Sequence, residues 1–241
     1  MRIALTSIPY INREKFFIDL KETWPNYKIH DMGFSQVYSS RLTKENLDNE
    51  LQEITNIFSK YNNALNDNVI FSISPIDFLV KVMFAISDQW IEQSLFKEYV
   101  NKIKPLFDNI DVIYYLPISK FNEIKIPDSI QMDEFCDSKF LADMDNNIKD
   151  IIALFNIRLK NPFFDVENCP AVIEIFGTDE QKIQNVRMYL EKDGSLREPN
   201  SILNKEQNKL LENLTKNLEQ QEKDFKNKKN DKIPFYQNIK K

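Results

Sequence analysis

The sequence predicts an α/β domain: a three-layer parallel sheet with helices on both faces, followed by a C-terminal helical tail. Three observations predict it. Short apolar runs recur at Arg2–Thr6 (RIALT), Val69–Ile73 (VIFSI), Asp111–Leu116 (DVIYYL) and Ala171–Ile175 (AVIEI). Stretches with apolar residues at helical spacing lie between them. The runs are apolar at most successive positions rather than at alternate ones, as strands covered on both faces require.

Taken in order, the first strand leads to a helix over Arg13–Trp24 that carries Phe16, Phe17, Leu20 and Trp24 on one face. Tyr27–His30 can form a second short strand. Thr43 can cap a helix whose Leu47, Leu51, Ile54, Ile57 and Phe58 repeat at helical spacing. After VIFSI, Ser74 caps and Pro75 opens a helix at its preferred first position, running to about Trp90. A further helix runs from Ile91 towards Phe107, bent at Pro105. Pro117 ends DVIYYL, and Ser119 to Ser138 has few periodic signals. Leu141–Ile157 is helical in pattern, and Pro162 and Pro170 bracket an irregular stretch. Thr178 with Gln181 makes a capping box for a last helix through Ile183, Val186 and Leu190.

Composition narrows the chemistry. The 241 residues, 42% hydrophobic with 18 Phe, can bury a sizeable core. A net charge of -5 gives no strong nucleic-acid signal, because phosphate binding needs concentrated basic surface. No apolar run approaches ~18 residues, so no membrane span is expected, and the N-terminus lacks a signal-peptide pattern. Cys136 and Cys169 are the only cysteines and fit reduced structural thiols in a cytoplasmic protein. His30 is the only histidine, which removes mechanisms built on two histidines. Only Gly33, Gly177 and Gly194 are glycines, and Gly-rich phosphate cradles depend on that residue.

Ligands of open α/β sheets sit beyond the carboxyl ends of the strands. Those ends are Thr6-Ser7, Ser72-Ile73, Leu116-Pro117 and Phe176-Gly177. The order of elements, the opening RIALTSIPYINREKFFIDLKETWPNY and the later NVIFSISPIDFLVKVMF resemble P-loop kinases of the nucleotide-kinase type. Thymidylate-kinase-like enzymes and small phage ATPase/kinase proteins are the nearest likeness, and it spans about residues 1 to 192. The resemblance implies a phosphate loop between the first strand and helix, of the pattern xxIAxTG-P-xxGKST, with ATP and magnesium in an active member.

On that pattern this sequence is degenerate. Ser7 stands at the first loop glycine, Asn12 at the last, Arg13 at the lysine and Glu14 at the magnesium-binding Ser/Thr, with Lys15 beside them. Side chains at Ser7 and Asn12 crowd a backbone that must wrap phosphates with its N–H groups. Arg13 keeps a positive charge but is a larger planar fork. Glu14 would set a carboxylate against phosphate, a repulsion of several kcal/mol in a dry pocket. Ser72 and Ile73 stand where the resemblance implies an acid and an arginine. The lid-like stretch Cys136–Asn147 offers only Lys139 as a cation, among several acids. Phosphoryl transfer depends on neutralising charge on phosphate oxygens, so these losses remove the main catalytic contribution. Asp77 and Lys81, four apart on one helix, fit a surface ion pair of small value.

The expectation is therefore a catalytically inactive kinase-like protein without cofactor, acting as a protein-binding or structural module. The alternative is an active phage-type deoxynucleotide kinase or ATPase with a divergent loop. There ATP and magnesium would be served by Arg13 with Asp77, Asp137 or Asp143. Residues 1 to 192 form the expected domain and 193 to 200 a polar linker. From 201 to 241, Leu203, Leu210, Leu214, Leu218 and Phe225 stripe one side of a polar helix. Such a stripe can pack on its own domain or dock on another chain, or on a second copy of this one. The linker and a set of strands complete without the tail favour docking.

Overall fold

In the computed structural model, β1 (Arg2–Ser7), β2 (Lys28–His30), β3 (Val69–Phe71), β4 (Val112–Leu116) and β5 (Ala171–Glu174) form one sheet. All neighbouring pairs are parallel, and the order is β2-β3-β1-β4-β5. The residues described are 1–32, 42–61, 68–120, 122, 124, 138–155 and 170–197. Met1–Leu196 make up one unit; the tail positions Leu203, Leu210, Leu214, Leu218 and Phe225 lie outside the described residues.

The helices are α1 (Arg13–Thr23), α2 (Lys44–Phe58), α3 (Pro75–Ser87), α4 (Leu95–Ile103), α5 (Ser138–Phe155) and α6 (Asp179–Arg187). α1 packs on α6, whereas α3 packs on α2, α4 and α5. This is the division that right-handed crossovers produce when the chain moves one way from β1 to β2 and the other way thereafter. The arrangement is compatible with a three-layer α/β fold. Burial follows the layering. Every residue of β3 and β4 is buried, and β1 is buried after Arg2, while the edge strands β2 and β5 are partly exposed. Each fully buried Leu, Ile or Phe contributes roughly 1.5–3 kcal/mol, so the three central strands dominate the core.

Local chemistry sets the helix ends. Ser74 accepts from the amide of Ile76 at 3.1 Å, and Asp77 accepts from the Ser74 amide at 2.8 Å, closing a capping box behind Pro75. Thr178 and Gln181 make the same reciprocal pair at α6, and Thr43 caps α2. The helix expected to reach Trp90 stops at Ser87. Gln89 adopts a left-handed φ of 57°, and the Trp90 amide turns back to the carbonyl of Ala85 at 2.8 Å. The helix expected to run to Phe107 becomes a 3-10 segment from Lys104 to Asn109, with Pro105 in its first turn.

Residues 193–196, the start of the expected linker, are tied to the domain. The hydroxyl of Tyr27 donates to the Gly194 carbonyl at 2.7 Å, and the Asn26 amide donates to the Asp193 carbonyl. Leu196 forms a bridge with Leu190. Gly194 has a φ of 80°, and a Cβ there would lie 2.4 Å from the Tyr27 ring, so this close approach requires glycine.

Candidate functional site

The order β2-β3-β1-β4-β5 makes β1 the strand at which the chain reverses direction across the sheet. The crevice beyond its carboxyl end is therefore the default ligand position. What fills it begins with the β1–α1 loop. Ser7 is buried, and its hydroxyl donates to the Ile8 carbonyl at 2.9 Å. Ile8 and Ile11 are buried in the core. Tyr10, between them, takes a left-handed φ of 62°, which costs a non-glycine residue roughly 1–2 kcal/mol. Ile11 forms an antiparallel bridge with Ile124 from the segment after β4. Asn12 occupies the N-cap of α1 but makes no side-chain capping hydrogen bond.

Arg13, the first residue of α1, is where the expected cation stands. Its Nη1 lies 2.6 Å from Oδ1 of Asp77, and the two side chains are only 5% and 10% exposed. The other carboxylate oxygen of Asp77 accepts from the amide and hydroxyl of Ser74, at 2.8 and 3.1 Å. Both oxygens of Asp77 are thus engaged. A charge buried this deeply is tolerable only when it is paired and hydrogen-bonded, and this one is both.

The neighbouring expected residues are elsewhere. Glu14 and Lys15 are exposed, so Glu14 does not set a carboxylate into the loop. Lys15 pairs with Asp19; that hydrogen bond raises the ammonium pKa against an opposing effect of burial, and the acid's charge adds to the rise. Ser72 accepts from the Met32 amide at 2.8 Å, and its own amide donates to the His30 carbonyl at 2.9 Å, tying β3 to the end of β2. Ile73 is buried beside it. Asp77 and Lys81 do not form a surface pair. Both are buried, Asp77 against Arg13 and Lys81 against Glu50 of α2. Lys139 and Asp143 are exposed on α5, while Cys136, Asp137 and Cys169 fall outside the described residues.

Sequence reasoning missed a second buried carboxylate. Asp145 of α5 accepts from the Tyr115 hydroxyl at 2.6 Å and from the Ile118 amide at 3.3 Å, and pairs with Lys149 at 2.6 Å. Burial first, then the bond to Asp145, pushes the Tyr115 hydroxyl far above its ordinary pKa. The signal was available: Asp145 lies four residues after Leu141 and three before Ile148, on the apolar stripe of its helix. Past it, Asn122 donates to the Pro117 carbonyl at 2.8 Å, turning the chain so that Ile124 meets Ile11.

The site therefore pairs its buried cation internally, fills its loop with isoleucines, and holds its carboxylates in structural hydrogen bonds. Among the described residues, no group of three or more His, Cys, Asp or Glu side chains could hold a metal ion, and no helix is long and apolar enough to cross a membrane. A cavity of about 390 Å³ lined by Ile86, Trp90, Ile91 and neighbouring polar residues lies at the opposite end of α3 from its Ser74 cap. Compared with known proteins, the sequence matches no family model, and no curated protein is significantly similar to it.

Proposed function

We propose that the chain is a catalytically inactive P-loop-kinase-like protein that serves as a protein-binding or structural module. One observation carries this reading. Arg13, at the position of the phosphate-loop lysine, is neutralised by Asp77, and Asp77 has no oxygen left over. A bound nucleotide phosphate would have to displace that carboxylate, leaving Asp77 buried beside it. The loop adds to the difficulty. A phosphate cradle needs several backbone N–H groups turned inward, whereas this loop directs Ile8 and Ile11 into the core and bridges to Ile124. ATP and magnesium do not fit these residues, since Glu14 at the hydroxyl position is exposed.

Interaction with another polypeptide, or with a second copy, is assigned to residues 201 to 241 on the stripe Leu203, Leu210, Leu214, Leu218 and Phe225. The second reading, an active deoxynucleotide kinase or ATPase, is favoured by one feature: Arg13 lies at a helix N-terminus beside the central crevice. Calorimetry with ATP and GTP, with and without magnesium, separates the two. We expect no magnesium-dependent binding in the micromolar range. Micromolar, magnesium-dependent binding that Arg13→Ala weakens would overturn the inactive reading.

A further inference from the structure

We propose that His30 is a proton-operated latch that holds the 3-10 turn Ser59–Tyr61 against the carboxyl ends of β2 and β3 while neutral and releases it on taking a proton. The geometry is a small aromatic cluster. The His30 ring, at the last residue of β2, stacks on Phe71 of β3 with centroids 5.9 Å apart and planes at 29°. Tyr61 stands edge-on to both, at 5.2 Å from His30 and 5.4 Å from Phe71. Phe58, the last residue of α2, stacks on Phe71 from 4.3 Å. A polar link in the cluster joins His30 Nε2 to the Tyr61 hydroxyl. With the ring proton on Nδ1, Nε2 accepts the hydroxyl hydrogen and the contact is complete.

A second proton on Nε2 turns that acceptor into a donor, so the Tyr61 hydroxyl can no longer donate to it and must turn its hydrogen elsewhere. It also places a positive charge near two others. Lys28 precedes His30 by two positions on the same strand, and Lys60 lies on the latched turn itself. Phe58 and Phe71 bring no charge, and Asp31, next along the chain, is exposed. Burial, then the charges of Lys60 and Lys28, hold the ring's pKa below its ordinary value, in the direction the geometry requires. The sign follows from linkage. A histidine with a depressed folded pKa gives its full stabilisation above the unfolded value of about 6.5. That stabilisation falls away as pH drops below it, and is gone once pH passes below the folded value.

The test uses the full chain. Ring nitrogen NMR should show the Nδ1–H tautomer and a titration below that of a free histidine. Hydrogen exchange at Ser59–Tyr61, corrected for intrinsic rates, should show several-fold more opening at about pH 5.5 than at about pH 7.5. His30→Gln should abolish this difference. Should that variant fail to fold, Tyr61→Phe gives an independent readout: removing the hydroxyl should raise the His30 titration towards the ordinary value. A ring that titrates at or above the ordinary value, an unchanged titration in Tyr61→Phe, or the same pH-dependent opening in His30→Gln would overturn the latch.

Discussion

Arg13 and Asp77 form an ion pair, 2.6 Å from Nη1 to Oδ1, that joins the first turn of α1 to the first turn of α3 beyond the carboxyl end of β1. The two helices pack on different partners, α1 on α6 and α3 on α2, α4 and α5. The pair therefore ties the two groups of helices together at the point where a ligand of such a sheet would bind.

Removing one partner should be severe. Arg13→Ala leaves Asp77 buried without a cation, and breaking such a pair costs about 3–5 kcal/mol. Arg13→Met combined with Asp77→Asn removes both charges while keeping an acceptor for the Ser74 amide, and should regain most of that loss. Urea denaturation of the two variants measures the difference. If Arg13→Ala costs under about 1 kcal/mol, as an exposed pair would, the pair is not a plug and the inactive reading loses its main support.

Restoring the loop tests the crevice from the other side. Ser7→Gly, Asn12→Gly, Arg13→Lys and Glu14→Thr together should give weak nucleotide binding and little turnover, because Asp77 would still hold the new lysine and Ile73 remains uncharged. Adding Asp77→Asn should tighten binding in calorimetry. Full phosphoryl transfer from the first four changes would show that Ser72, Ile73 and Asp77 have been misread.

Tyr115→Phe should cost about 1.5–3 kcal/mol, the range for a hydrogen bond to a charged group, because Asp145 loses its buried donor at 2.6 Å while staying buried itself. Thermal melts of the variant and of Tyr115→Phe with Asp145→Asn check this, with the pair expected to be non-additive. Additive losses would mean that the hydroxyl and carboxylate act separately.

How much of this was legible depends on sequence separation. The central strands could be read because β1, β3 and β4 are buried on both faces and so are apolar at most positions. The caps at Ser74 and Thr178 could be read because a capping box is complete within four residues. Arg13 and Asp77 lie 64 positions apart, and their meeting depends on strand order, which no local pattern encodes. For the same reason Lys81 looked solvent-exposed: its partner Glu50 is 31 residues away on another helix. Tyr27 and Gly194, 167 residues apart, are the extreme case, and they moved a segment expected as linker onto the domain.

Acid should act at the other end of the sheet. Burial alone would raise the Asp111 carboxyl. Hydrogen bonds from the Arg2 side chain and backbone, with the charges of Arg2 and the N-terminus, more than offset it and hold the pKa below the ordinary value. A depressed folded pKa stabilises above the unfolded value of about 3.9 and loses that contribution as pH falls through the folded value. Asp111 is 39% exposed, so the effect is screened to roughly 1 kcal/mol or less. Asp111→Asn should lower stability at neutral pH by no more than that amount, flatten the profile below about pH 4, and converge with the unsubstituted protein in strong acid. An unaltered acid limb would rule out this linkage.

Two truncations separate the domain from its tail. A chain ending at Lys192 loses the carbonyls of Asp193 and Gly194, so Asn26 and the buried Tyr27 hydroxyl have no acceptor, and it loses the bridge from Leu190 to Leu196. A buried donor left without a partner costs about 1–3 kcal/mol. For a domain of this size each kcal/mol lowers the melting temperature by roughly 2–4 °C, so a drop of several degrees is expected. A chain ending at Leu196 keeps all these contacts and should melt close to the full-length protein. It also lacks the stripe Leu203, Leu210, Leu214, Leu218 and Phe225, so self-association or partner capture by the full chain should disappear. Calorimetric melts and sedimentation of the three proteins decide the matter. If the chain ending at Leu196 aggregates or melts many degrees lower, the stripe covers the domain's own apolar surface, and the tail is part of the core rather than a docking element.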